Sequence, residues 1–194
     1  MNRPQRQLSE IVDAAVLAKE LDALYEEHGT GPDFRAAMLA HLKDVQARGR
    51  KVIEGWLSEE GRGLACARRI AALQDAILQA VYTFTTTTLY PVVNQTSSER
   101  LSVIATGGYG RGTMAPGSDV DLLFLLPYKK TGWSESVIEQ VLYTLWDMEM
   151  KVGHAVRTVE DCVRLSKSDM TIRTSVLDSR WVCGDRELLE DLVA

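Results

Sequence analysis

Residues 101–125 read LSVIATGGYGRGTMAPGSDVDLLFL. Leu101 to Thr106 has the β-branched content of a short core strand. Asp119 to Leu126 predicts a second strand, with Val120, Leu122, Phe124 and Leu126 on one face and Asp121, Leu123 and Leu125 on the other. The connection between them, GGYGRGTMAPGS, holds five glycines and a proline in twelve residues. That is too much glycine for an ordinary helix, yet it suits a chain that must wrap tightly around a ligand.

Glycines at 107 and 108 remove Cβ atoms where the chain leaves a strand, so backbone amides there can approach phosphate closely. Gly110 and Gly112 loosen the following turn, Arg111 can present a fixed fork of donors to phosphate oxygens, and Ser118 can add a hydroxyl beside the carboxylates. Asp119 and Asp121 lie two apart, so in a strand both point to the same face. Two carboxylates held together repel unless a cation joins them. Magnesium is the natural match, because it prefers hard oxygen ligands and bridges to substrate phosphates. Neither a P-loop nor a dinucleotide fingerprint is present: there is no GxxxxGK followed by Ser or Thr, and GYGRGT lacks the GxGxxG spacing.

Upstream of this stretch the sequence reads as helical. Residues 8–27 carry Leu8, Ile11, Val12, Ala15, Leu17, Leu21 and Leu24 at helical spacing, with Ser9 as a cap. Gly29 and Gly31 supply a turn, and Pro32 opens a second helix to about Trp56 with Phe34, Met38, Leu42, Val45, Val52 and Ile53 inward. Lys43, Arg48, Arg50 and Lys51 read as its solvated face. A third helix is expected from Leu64 to Tyr90. Its threonine-rich end favours strand intrinsically, but Ile70, Leu73, Ile77, Val81, Phe84 and Leu89 keep helical spacing.

Downstream, Ser134 to Met148 predicts an amphipathic helix with Val137, Ile138, Val141, Leu142, Leu145 and Trp146 inward. A strand follows over Lys151 to Arg157. Thr158 then caps a helix to Leu165, and further helical segments are expected at 168–178 and 186–192. The whole is an α+β chain: a small mixed sheet backed by helices, with a helical region over 1–92 and the sheet-bearing core over 93–194.

The chain has 194 residues, 45% of them apolar, which is ample for a core. A formal charge of −5 argues against a protein whose main partner is nucleic acid. Cys66, Cys162 and Cys183 are dispersed and read as free thiols of a reducing compartment. With no apolar run long enough to cross a bilayer and no signal peptide pattern, the expectation is a cytoplasmic protein without membrane contact. His28 and His41 fall on helix surfaces, whereas His154 lies in a strand from which it could face the site.

The stretch GGYGRGTMAPGSDVDLLFL resembles the signature of the DNA polymerase beta-like nucleotidyltransferase superfamily, a glycine pair followed ten residues later by an Asp-x-Asp strand. More narrowly, IATGGYGRG, GSDVDLLFL, LWDMEMKVGHAVRT and SDMTIRTSVLDSRWVCGD look like the N-terminal region of the bacterial PII uridylyltransferase and uridylyl-removing enzymes. The resemblance implies magnesium-dependent transfer of UMP from UTP to a tyrosine of the PII signalling protein. It also implies a fragment of a longer multidomain protein, separate from the domains that remove the group and sense glutamine.

Carried over by position, Gly107 and Gly108 match the pair bordering the phosphates, and Asp119 and Asp121 match the metal-binding carboxylates. The superfamily's usual third carboxylate has no evident counterpart. Gly153 and His154 occupy the region where it is expected, and Asp147, Glu149 and Asp169 are the acids that could fold back instead. Two rival readings are another nucleotidyltransferase, such as an adenylyl-transferring enzyme, and a nucleotide-binding regulatory module without turnover.

Overall fold

A computed structural model of the chain describes residues 11–92 and 96–194. Three helices come first: α1 (Ala14–His28), α2 (Pro32–Glu60) and α3 (Gly63–Phe84), the last extended by a π-helical turn over Thr85–Leu89. Among the described residues α1 is capped by Asp13, whose carboxylate accepts from the Ala15 and Val16 amides. The expected Ser9 cap lies outside the described residues. Gly29 and Gly31 turn the chain at φ of 68° and 140°, and Pro32 stands in the first turn of α2.

The threonine-rich end of α3 is helical. Thr85, Thr86 and Thr87 donate their hydroxyls to the carbonyls of Val81, Tyr82 and Thr83, four residues back, which removes the polar cost of threonine in a helix. Phe84, 1% exposed, closes an aromatic cluster with Tyr25 of α1 and Phe34 of α2, at ring separations of 6.0 and 5.5 Å. Truncating such a ring to alanine costs about 3–5 kcal/mol. Val52, expected inward on α2, is exposed, because the buried seam of that helix runs through Leu42, Val45, Gly49 and Ile53.

The sheet is built from β1 (Ser102–Ala105), β2 (Val120–Leu126), β3 (Val152–Thr158) and β4 (Arg180–Gly184), in the order β3-β2-β1-β4. β1 is antiparallel to β2 and β4, and β2 is parallel to β3. The parallel pair is joined by α5 (Gly132–Asp147), which opens with a reciprocal capping box between Thr131 and Ser134. β4 is a correction to the sequence reading, which put helices on either side of residues 180–184 and no strand between them. The run Arg180, Trp181, Val182, Cys183 supplies β-forming side chains, and Val182 and Cys183 are buried against the edge of β1.

The faces of β2 divide as their alternation requires. Val120, Leu122, Phe124 and Leu126 join a core shared with α1, α2, α3 and α5. Leu123 and Leu125 join Ile104 in a second cluster with α6 (Val159–Ser166) and α8 (Glu187–Val193). Trp146, expected inward on α5, is 41% exposed and stacks edge-on with Tyr143 and His154 outside the core. Between α6 and β4 runs α7 (Met170–Leu177), capped by Asp169, with none of its residues fully buried.

Candidate nucleotide and metal site

β1 ends at Ala105, and the glycine stretch does not remain a loop. Gly107–Gly110 forms a single helical turn, α4, entered through Thr106 in extended conformation. This departs from the expectation that so many glycines exclude helix. The turn needs them: Gly107 sits at φ 57°, and a Cβ at Gly110 would meet the Asp178 carbonyl oxygen at 2.0 Å.

Asp121 lies at the start of β2, half-buried, its carboxylate set between two glycines from different elements. A Cβ at Gly107 would stand 3.2 Å from Asp121 Oδ2, and a Cβ at Gly153 would stand 2.5 Å from Oδ1. Register explains the second contact, because Asp121 pairs with Gly153 in the parallel ladder. The chain has therefore cleared space on both sides of one carboxylate. Asp119 precedes it by two residues and is exposed. Among the described residues, neither carboxylate has an ion-pair or hydrogen-bond partner.

A cleft of about 330 Å³ opens beside Asp121, lined by Thr106, Gly107, Gly153, Arg157, Thr171 and Ser175 among others. Arg157 is four residues beyond Gly153 on β3 and so shares the Asp121 face of the sheet. It brings a guanidinium to the same cleft, a role the sequence reading did not assign.

The glycine turn is held from behind. The Tyr109 ring is 1% exposed, and its hydroxyl donates to Asp75 Oδ1 of α3 at 2.6 Å. Arg180 of β4 forks onto both Asp75 oxygens at 2.8 and 3.0 Å and donates to the Tyr109 carbonyl at 3.2 Å. Burial, and then the Asp75 charge, push the Tyr109 hydroxyl well above the usual tyrosine range, so it remains a donor. Burial works against the charge of Arg180, but Asp75 outweighs it and its pKa stands above the ordinary arginine value. Met114, beyond the turn, donates its amide to the Ala67 carbonyl of α3 at 3.0 Å.

The nucleotidyltransferase domain family matches residues 91–181, a span that contains the glycine turn, both carboxylates, Gly153 and Arg157. Residues 91–181 are thus similar to a nucleotidyltransferase domain. The chain is 47% identical over 182 residues to the bifunctional uridylyltransferase/uridylyl-removing enzyme of Bradyrhizobium sp., covering 93% of this chain and 20% of that protein. It is 46% identical to the enzyme of the same name from Azospirillum brasilense, covering 94% of this chain and again 20% of the relative. The chain thus spans about one fifth of the length of these relatives. The four-stranded mixed sheet with flanking helices is the polymerase beta-like nucleotidyltransferase fold, preceded by a helical extension.

Within and beside the matched span the other expected residues take distinct places. A Cβ at Gly108 would lie 3.7 Å from Arg111 Nη2, so this glycine leaves room for the arginine. Arg111 pairs with Asp178 at 2.5 Å and remains 58% exposed, which ties the end of the glycine turn to the end of α7. Ser118 accepts from the Ala115 amide at 3.1 Å, closing the turn that precedes Asp119, and lines a different cavity from the Asp121 cleft.

The His154 ring, in register with Leu122, packs on Trp146 at 5.8 Å on the opposite sheet face from Asp121. None of the three acids considered as a third carboxylate is free. Asp147 pairs with Arg35, Glu149 with Lys43 at 2.7 Å, and Asp169 accepts from the Thr171 and Ile172 amides. Among the described residues no group of three or more His, Cys, Asp and Glu is gathered to hold a metal.

Proposed function

We propose that this domain transfers UMP from UTP to a tyrosine hydroxyl of the PII signalling protein, releasing pyrophosphate. The observation that carries the reading is the Asp121 carboxylate, cleared on two sides by Gly107 and Gly153 and left without a protein cation beside Asp119. Among the described residues neither Asp121, which lines the cleft, nor the exposed Asp119 two positions before it has a partner, and a carboxylate left in this way is suited to a hard divalent ion that substrate phosphates complete. The two relatives are named for uridylyl transfer, which supports uracil as the base. PII as the acceptor rests on the family resemblance.

Asp119 and Asp121 would hold magnesium, which when bound shields the triphosphate charge and makes the attacking hydroxyl more acidic. The remaining steps fall to the chain itself. The amides of the Gly107–Gly110 turn approach the phosphates, and Arg157 supplies positive charge in the cleft. The tyrosine hydroxyl loses its proton to solvent, its oxygen attacks the α-phosphorus in line, and the bond to the bridging oxygen breaks so that pyrophosphate leaves. Asp75, Tyr109 and Arg180 keep the turn in place throughout. On this reading residues 1–92 are a helical support, 93–194 the transferase core, and the protein works in the cytoplasm. Among the described residues no helix is long and apolar enough to cross a membrane.

One observation favours a second reading, a nucleotide-binding module without turnover: glycine, not an acid, stands in register with Asp121 on β3. Incubating the domain with magnesium, each labelled nucleoside triphosphate in turn and purified PII separates these. Label moved to PII from UTP alone supports uridylyl transfer, label from ATP points to an adenylyl-transferring enzyme, and binding of UTP without transfer supports the module.

A further inference from the structure

A second cavity, of about 380 Å³, lies on the far side of β2 from the Asp121 cleft, between α2, α3, the loop before Asp119 and the turn between α5 and β3. Its rim carries Lys43, Arg50 and Lys151 against a single acid, Glu149. Glu149 pairs with Lys43 at 2.7 Å. Among the described residues Arg50 and Lys151 have no ion-pair partner.

The floor is of another kind. Gln46 of α2 and Gln74 of α3 line the cavity and are 9% and 2% exposed. Among the described residues the buried Gln46 amide nitrogen and Gln74 amide oxygen each have no hydrogen-bond partner. Buried amides are almost always satisfied, and two orphans at one cavity, one donor and one acceptor, call for a polar group between them and the rim. The sides are apolar, formed by Ile70, Met114, Met148 and Met150.

We propose that this cavity binds a small anion with a hydrogen-bonding body, its charged group on Arg50 and Lys151 and its polar body toward Gln46 and Gln74. The site is separate from the nucleotide cleft and needs no assumption about the transfer reaction. Its walls nevertheless include the neighbours of Asp119 in the chain, Ser118 and Val120. Ser118 lines it immediately before Asp119, and the Lys151 carbonyl accepts the Val120 amide at 2.8 Å. Occupancy therefore bears on the segment that presents Asp119.

The methionines give a direct reading. With ¹³C-methyl methionine in the whole domain, titration with inorganic phosphate and, separately, with succinate should shift the Met114, Met148 and Met150 methyls saturably. Met38 and Met170, outside the cavity, should stay still. Arg50→Gln and Lys151→Gln, both on the rim and harmless to folding, should each weaken binding about tenfold. Saturation by one anion and not the other names the charged group. Absence of a saturable shift with both anions overturns the proposal, as does unchanged affinity in both charge variants.

Discussion

Asp121 and Gly153 face each other across the parallel ladder, and a Cβ on Gly153 would stand 2.5 Å from the Asp121 carboxylate. Gly153 is not at a positive φ, so alanine is tolerated by its backbone and the conflict falls on the aspartate side chain alone. Gly153→Ala should leave the melting temperature near that of the parent while lowering uridylyl transfer about 10²-fold, the penalty of a misplaced reactive group. Parallel thermal melts and transfer rates would check this, and an active Gly153→Ala protein would refute the importance of the cleared space.

Asp119→Asn and Asp121→Asn should each abolish metal-dependent transfer. Because neither carboxylate has a partner among the described residues, neither substitution unpairs a cation, and stability to urea should be unchanged or slightly higher. Near-normal transfer by either variant would remove it from the site.

Asp75 receives both Tyr109 and Arg180, so Asp75→Ala leaves a largely buried guanidinium without its counter-charge. A loss of about 2–3 kcal/mol is expected, below that of a fully buried pair because part of the pair still meets solvent. Adding Arg180→Met should restore part of it in urea melts. If the double variant is no more stable than Asp75→Ala, the orphaned charge is not the cause.

Arg157→Gln tests the cation in the cleft. If Arg157 contacts phosphates in both ground and transition states, KM for UTP should rise about tenfold with little change in kcat. Lysine at 157 should recover only part of the loss, lacking the planar fork. A fall in kcat with KM unaltered would move Arg157 from binding to the reacting centre.

The Asp185 carboxyl is held below the ordinary aspartate range by its hydrogen bond with Arg100, helped by the Arg100 charge and the Glu187 and Leu188 amides. A folded pKa depressed in this way contributes stability that is present above the unfolded value, about 4, and is lost as pH falls through the lower folded value. Arg100→Gln should therefore reduce stability at neutral pH and flatten its decline below pH ~4. Parallel slopes for the two proteins in that range would argue against the linkage.

Much of this was legible in the residues themselves. Helical spacing outweighed the strand preference of Thr85 to Thr88: the first three hydroxyls satisfy themselves one turn back, and that of Thr88 donates to Asp22 of α1. The alternation of β2 assigned Asp121 to one face and Leu122 to the other. What escaped were relations that exist only after register is set. Gly153 looks like any strand glycine until β3 is laid beside β2, and Asp75 looks like one more acid on a helix until Arg180 arrives. Arg157 had a readable signal, its even spacing from Gly153 on β3. Residues 180–184 had one as well, but the run is short and lies between two helical patterns. Trp146 is apolar enough to read as core, yet its position on α5 turns it toward His154 at the surface.

The clip between Arg180 and Asp75 joins residues 105 positions apart. During synthesis the three leading helices, the glycine turn and both aspartates all leave the ribosome before the arginine that fastens them. A nascent chain that stops short of β4 has every group expected to touch the nucleotide but not the brace behind Tyr109. Competence to handle nucleotide should thus appear late and abruptly as the chain lengthens, and half-made molecules should remain inert.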